Sequence, residues 1–307
     1  MKTLAWAIAA LVLATVPLIF GDRYILHIGT MVGIMTTVAL SLHLMMRIGQ
    51  LSFAQVAFMG IGAYASALLT MRLGFPTALS FLCAGLLAAL LALLIGPLFL
   101  RIKGVYFVLL TFAFSQIVNL VFQDWTSLFG GNNGLFGIPK MALFGYRLTA
   151  ASHYYCLAAV LAAVTYLTVR AIRRSDIGTV LSALDENEAL GRSLGLDALS
   201  WRVGIFTVTA FFAGLAGSVY AHYLGFLSPP AFSFWTSVDA IVMNVIGGMA
   251  TPLGPVIGAI LLVPLPELLR DAKQFQLLAY AAILIVFLLF FRDGIVGYLA
   301  KRQRATS

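Results

Sequence analysis

The sequence predicts an all-α fold, a polytopic membrane helical bundle. It would hold about nine or ten transmembrane segments, including one broken or re-entrant pair, and a charged helical stretch between spans on the cytoplasmic side. Three observations predict it. The 307 residues are 62% hydrophobic and 10% charged with a mean hydropathy of +1.01, whereas a soluble domain carries about 25% charged residues. Apolar runs recur near the roughly 20 residues that a helix needs to cross hydrocarbon. The charges avoid those runs: of 19 Lys and Arg and 11 Asp and Glu, only Arg170, Asp239 and Glu267 fall inside them, each near a run end. A charge at the bilayer centre costs about 2.5–3.5 kcal/mol on insertion scales, which accounts for the exclusion.

The runs follow in order. Residues 4–20 stand behind Lys2 and read as an uncleaved first span rather than a signal peptide, because no small-x-small cleavage site precedes Gly21. Further runs cover 24–46, 53–71, 78–100, 104–123, 154–171 and 203–224, then a broken run over 236–269 and a last one over 275–291. With the N-terminus in the cytoplasm and strict alternation, thirteen of the 19 Lys and Arg fall inside, Arg47, Arg173 and Arg174 among them. That bias supports the orientation, with both termini cytoplasmic. It requires 236–269 to enter and leave on one side. Gly247, Gly248, Pro252, Gly254 and Pro255 break the middle of that run, so it reads either as two half-length helices in a hairpin or as a tight turn between two short spans.

Small residues recur at helix-packing spacing: Gly29 and Gly33, Ala210, Gly214 and Ser218, Ala213 and Gly217, Gly254 and Gly258. Such spacing lets helix backbones approach closely in lipid. Residues 124–152 form an external loop whose FGGNNGLFGIP core is rich in turn residues. Its apolar Leu128, Phe129, Leu135, Phe136 and Ile138 predict that it folds back onto the bundle or meets a partner. Cys83 and Cys156 lie in apolar runs and read as small core residues, with no CxxC and no disulfide framework.

Residues 172–202 are the longest charged stretch. Ile177, Val180, Leu181 and Leu184 share one face of a helix predicted over 176–184. Asp185 and Glu188 have capping-box spacing and Gly195 offers a left-handed stop, which predicts a second helix over 186–194. Two short amphipathic helices between spans are either a solvated connector or a docking surface, and spacing does not choose.

The chemistry of an enzyme is not visible. There is no GxxxxGK[ST], HExxH or GxSxG. The net charge of +8 sits at span ends, where it sets topology rather than inviting nucleic acid. His43 is the one histidine well inside a run and reads as a satisfied packing residue. Asp239 and Glu267 sit too near run ends to favour a proton relay. The uncharged polar residues inside spans, Gln55, Gln116, Asn119 and Asn244, either line a path for a polar solute or bond helix to helix.

Three stretches, GQLSFAQVAFMGIGAYASALL (49–69), GGNNGLFGIP (130–139) and the long run 183–270 from ALDENEALGRSLGLD to LPELLR, carry a family likeness. The chain resembles the LivM-type permease subunits of ATP-binding-cassette importers for branched-chain amino acids. The resemblance covers nearly everything after the first span. It implies one transmembrane permease domain over 1–307, with spans in 4–171 and 203–291, a coupling region in 172–202 and a tail in 292–307. It implies that the chain is no enzyme and holds no cofactor, ATP being bound by partner subunits. The implied partners are a LivH-like second permease, two ATP-binding subunits, an extracytoplasmic solute-binding protein and membrane lipid, all at a bacterial inner membrane. Residue by residue, the family's ATPase-coupling segment falls on Asp185, Glu186, Asn187, Glu188, Ala189 and Gly195. Relatives also carry urea, short amides and aromatic acids, so the solute stays open, and a stand-alone secondary carrier is the other reading. Two positions depart from the family pattern: Phe129 before GGNNGL, and Met249-Ala250-Thr251-Pro252 after the Gly pair.

Overall fold

A computed structural model describes residues 22–143, 145–186, 197–269, 275–290 and 294–297. Ten helices organise them: α1 (Arg23–Met46), α2 (Ala54–Arg72), α3 (Thr77–Phe99), α4 (Val105–Asp124), α5 (Ala151–Arg174), α6 (Asp176–Glu186), α7 (Ala198–Leu224), α8 (Phe234–Gly247), α9 (Leu253–Leu262) and α10 (Gln276–Phe290). Among the described residues, α1–α5 and α7 are long and apolar enough to cross a membrane. The predicted 4–20 span, the Asn187, Glu188, Ala189 and Gly195 positions, and most of the 292–307 tail lie outside the described residues.

Alternation of α1–α5 and α7 defines two ends. The 124–152 loop marks the loop end, and α6, following α5 directly, marks the other. The core is α7, whose most apolar window is 72% buried, with α2 at 67% and α1 at 61%; α3, α4 and α5 are rim helices at 28% each. α7 packs along both α3 and α2, and α1 lies between α7 and α5.

The small residues make this packing possible. A Cβ on Gly217 would lie 1.9 Å from the Met59 carbonyl oxygen, and one on Gly62 would lie 2.3 Å from that of Gly214. Backbone therefore meets backbone between α2 and α7, and dispersion contacts accumulate where lipid supplies no hydrophobic drive between helices. Gly33 meets Ala158 of α5 in the same way.

The broken run resolves as a hairpin. α8 has 14 residues and α9 has 10, about 21 and 15 Å of helix, each short of the roughly 30 Å hydrocarbon core. They lie against one another, and a Cβ on Gly258 would lie 1.9 Å from the Met243 carbonyl oxygen. Pro264 ends α9's continuation before a single turn, Leu265–Leu268.

The 124–152 loop folds back onto the bundle. Leu135 and Phe136 (β1) pair antiparallel with Leu227 and Phe226 (β4), just past α7. The Phe136 and Phe226 rings stack at 4.5 Å. Gly134 has φ +80°, and a Cβ there would lie 2.1 Å from the Leu227 carbonyl oxygen, so glycine alone fits both the angle and the space. A second ladder joins Ala142 and Leu143 (β2) to Tyr146 and Arg147 (β3).

Two sequence expectations are corrected. Asp185 does not open a second helix: α6 runs through Asp185 and Glu186. No breaker separates Thr179 from Glu186, and each added residue gains a hydrogen bond once a helix has nucleated. The cysteines are not core residues either: Cys83 is half-buried and Cys156 is exposed. An apolar run marks a span but not which side of it faces inward, because lipid accepts the same side chains as the core.

Candidate functional site

The polar residues inside the spans divide into two groups. Gln55, Asn119 and Asn244 are buried and bonded. Gln55 donates from Nε2 to Thr209 Oγ1 of α7 at 3.2 Å, and its Oε1 accepts from Ser41 Oγ of α1 at 3.4 Å. Asn244 donates to the Ala39 carbonyl of α1 and to the Ala240 carbonyl of its own helix, both at 2.9 Å. These bonds join helix to helix.

Asn119 does a different job. After α7 the chain leaves helix at Gly225, forms β4, then makes a 3-10 turn over Pro229–Phe232. This irregular stretch runs down the side of α2 and α4, with the Phe232 ring packed against both the Tyr64 and Phe122 rings, which also touch each other. Non-helical backbone at membrane depth needs its carbonyls satisfied by protein. Asn119 Nδ2 supplies that, donating to Pro229 O at 2.8 Å and Phe232 O at 3.2 Å, while its own Oδ1 accepts from Gln123.

Gln116 stands apart. The inward stripe of α4 is Phe107, Thr111, Ser115, Asn119 and Phe122, all buried. The opposite stripe is exposed: Val105, Tyr106, Leu109, Gln116, Ile117 and Leu120. Polar residues inside and apolar residues outside is the pattern lipid dictates, and Gln116 breaks it near the middle of the helix. Beside it, Phe112 meets Phe234 edge-on at 5.2 Å, and the adjoining Trp235 is 73% exposed. By residue type Gln116 is no different from the other three amides, and Trp235 belongs to no motif. The signal available was α4's polar stripe, from which Gln116 is offset by one residue.

The sequence-predicted coupling region is described only in its first helix. Ile177 and Leu181 bury α6's apolar face against the cluster that holds Leu44, Ile48 and Ile172. Gly178 lets α6 seat on the end of α5, since a Cβ there would lie 2.5 Å from the Ile172 carbonyl oxygen. α6 is therefore docked on the spans rather than hanging from them. At its far end, Asp197 caps α7 by accepting from the Leu199 N–H at 3.1 Å.

At the loop end a hydrogen-bonded clamp holds the 124–152 loop. His222 of α7 bonds through Nδ1 to the Pro139 carbonyl at 2.7 Å and through Nε2 to Ser66 of α2 at 2.9 Å, and Ser66 bonds Ser218 at 2.7 Å. A carbonyl can only accept, so Nδ1 carries the proton and Ser66 donates to Nε2. Tyr154 takes the Met141 N–H at 2.7 Å and donates to the His222 carbonyl at 3.0 Å. Lys140 donates to the Tyr223 carbonyl at 2.6 Å and lies over the Tyr154 ring. Burial lowers the Lys140 ammonium from the usual lysine value.

His43 is packed but not satisfied. It is fully buried, neither ring nitrogen makes a hydrogen bond, and Asn244 is the side chain that faces it. The expectation of a bonded packing residue is corrected on this point: helix packing surrounds the ring before its polar atoms find partners. Asp239, within α8, accepts from Tyr280 Oη of α10 at 2.9 Å, a pairing that ties α10 to the hairpin. No group of three or more potential metal ligands occurs among the described residues.

Comparisons with known proteins fit this architecture. The family described as branched-chain amino acid transport system / permease component matches residues 24–291. The chain is 30% identical, over 96% of its own length and 75% of the relative's, to the high-affinity branched-chain amino acid transport system permease protein LivM of Escherichia coli. The protein of the same name from Salmonella typhimurium matches to the same extent. The ribose import permease protein RbsC of Haemophilus influenzae is 27% identical over 64% of this chain and 65% of its own. No solved structure matches. The chain belongs to the branched-chain amino acid transport system permease family and is a multi-pass membrane protein.

Proposed function

We propose that this permease is the transmembrane subunit of an ATP-binding-cassette importer, and that its solutes are branched-chain amino acids. The observation that carries the reading is the family match over residues 24–291, backed by likeness to two LivM proteins over nearly the whole chain. The whole of 1–307 acts as one permease domain in a bacterial inner membrane, with both termini cytoplasmic. Its role is mechanical rather than enzymatic: two partner subunits bind and hydrolyse the ATP, and an extracytoplasmic binding protein delivers the solute.

The outer face of α4 supports a place for the path. A carboxamide moved from water to a medium without hydrogen-bonding groups costs about 4 kcal/mol or more. Gln116 avoids that cost if its face meets water or another protein. The surface with Gln116 of α4 and Trp235 of α8 therefore turns toward a second, LivH-like permease, and the path runs between the two. Gln55, Asn119 and Asn244, first read as path candidates, serve that path from behind by fixing α2, α4 and α8.

The 185–195 segment is the handle. α6 is rigidly seated on α5, so Asp185, Glu186, Asn187, Glu188, Ala189 and Gly195 begin from a fixed base. A push on this segment reaches the spans through packed helices. Glu188→Lys is expected to cut uptake about tenfold or more while leaving membrane insertion unchanged. Unchanged uptake in that variant sinks the docking assignment.

The decisive experiment is purification of the full chain from its native membrane with its partners identified. Recovery of a second permease and an ATPase supports the importer. Purified chain that alone moves leucine across vesicle membranes supports a secondary carrier instead. Solute identity is then measured on the binding protein, with leucine, ribose, urea, short amides and aromatic acids as competitors.

A further inference from the structure

At the α6 end of the bundle, two arginines line one small cavity. Arg47 follows the last residue of α1 and Arg173 stands in the last turn of α5. The cavity is about 90 Å³ and is walled by Leu44, Ile48, Gly178 and Leu181 as well as the two arginines. The two like charges act on each other. Neither has a carboxylate partner among the described residues. Arg173 donates from Nη2 to the Ala250 carbonyl at 3.1 Å, which anchors its guanidinium beside the cavity.

Arginines at span ends are ordinary, and each normally extends alone into water. These two instead converge on a shared space with apolar walls, where their repulsion is screened less than in bulk water. The arrangement lacks one component, a compact anion. A guanidinium fork matches phosphate oxygens two at a time. The cavity has room for one tetrahedral group and not for a length of peptide. It lies at the ends of two apolar 24-residue helices, the depth of lipid headgroups. Basic pockets between transmembrane helices recognise acidic headgroups.

We propose that the Arg47–Arg173 cavity binds a phosphate group, and that this phosphate is the headgroup of an acidic phospholipid. Bound there, it bridges the ends of α1 and α5, and its single negative charge between the two guanidinium groups offsets their repulsion. Because α6 supplies Gly178 and Leu181 to the same wall, the lipid also holds α6 against the spans. The site stands whether or not residues 185–195 engage an ATPase.

The test uses the full-length chain with the subunits that co-purify, delipidated in phosphate-free buffer. Dioleoylphosphatidylglycerol, dioleoylphosphatidylcholine and inorganic phosphate are titrated separately, with retention followed by native mass spectrometry and protection by thermal unfolding. Phosphatidylglycerol is expected to be retained and protective, and phosphatidylcholine neither. Each arginine lost should weaken phosphatidylglycerol about tenfold, the effect of losing one charged hydrogen bond. Arg47→Gln with Arg173→Gln should then weaken it about a hundredfold, and Arg174→Gln, outside the cavity, not at all. If the double variant does not fold, Arg47→Lys, at an exposed position, still reads a partial loss. Inorganic phosphate protecting as well as the lipid upholds the phosphate site but overturns the lipid as its source. Equal phosphatidylglycerol binding by wild type and variants overturns the site. So does unchanged lipid binding with loss of a co-purifying subunit, which assigns the arginines to a partner's carboxylate.

Discussion

α3 and α4 are both rim helices, each with one face turned away from the chain, and those two faces differ in a single respect. The outer face of α3 is a leucine stripe, Leu79, Leu82, Leu86, Leu90, Leu94 and Leu98, with nothing polar in it. The outer face of α4 is equally apolar except for Gln116. Hydrophobicity alone makes the two helices equivalent, since both read as unbroken runs. A lipid-facing helix and a protein- or path-facing helix separate only by what a bilayer refuses, and a mid-depth amide is such a thing. The outer face of α5, with exposed Val160, Val164 and Leu167, sides with α3. One rim surface of the three is thus marked as different, and it is the one beside Trp235.

The frame that sets both faces is α7 against α2 and α3, and breaking it has the largest expected effect. Gly217→Leu places a branched side chain where the Met59 carbonyl oxygen lies 1.9 Å from the Cβ position. Overpacking costs about 1–3 kcal/mol even where neighbours can shift, and here the neighbour is backbone. The variant is expected to lose most of its folded, protease-resistant yield. Near-normal yield would mean that the α2–α7 contact is looser than described, and neither outer face would then be fixed.

The next substitution sets the two faces in direct opposition. Gln116→Leu turns α4 into a copy of α3. Uptake in reconstituted vesicles is expected to drop about tenfold, the effect of about 1.4 kcal/mol, with thermal stability unchanged. Full uptake together with a raised melting temperature would make α4 a lipid-facing helix and erase the contrast. The reciprocal Leu90→Gln puts an amide on the α3 stripe. It is expected to cost about 2 kcal/mol of stability in lipid, measured by thermal unfolding, while the protein that survives transports normally.

Much of this bundle was legible in the sequence, because bilayer thickness and charge exclusion act on every span alike. The runs became α1–α5 and α7 to within a few residues, the glycine and proline cluster at 247–255 became the turn of a hairpin, and the glycine spacings became the closest helix contacts. Facing was not legible. Cys156 reads as core and is exposed, because lipid and core take the same residues. The four polar candidates looked equal until geometry gave three of them partners. Residues 225–233 lie between two apolar runs and carry no signal of their own, yet they run along α2 and α4, and only Asn119's two carbonyl partners reveal why an amide sits there. Of the proposed coupling segment, Asp185 and Glu186 extend α6, since helix propagation overrode a capping pattern that depends on where the previous helix stops.

The smallest expected effect tests whether the loop end bears on the contrast at all. Lys140→Met removes one exposed charged donor from the clamp, together with its place over the Tyr154 ring, while the His222, Ser66 and Tyr154 bonds remain. Exposed charged contacts contribute about 1 kcal/mol or less, so global unfolding should barely shift. Amide exchange in residues 134–141 should rise several-fold, because that segment's opening is local. Uptake should hold if the loop end only shapes the mouth of the path. A loss of uptake as large as that of Gln116→Leu would mean that the clamp positions α4 itself, through β1, β4 and the stretch that Asn119 holds. The difference between the two rim helices would then originate in the loop rather than in the stripe of residues facing outward.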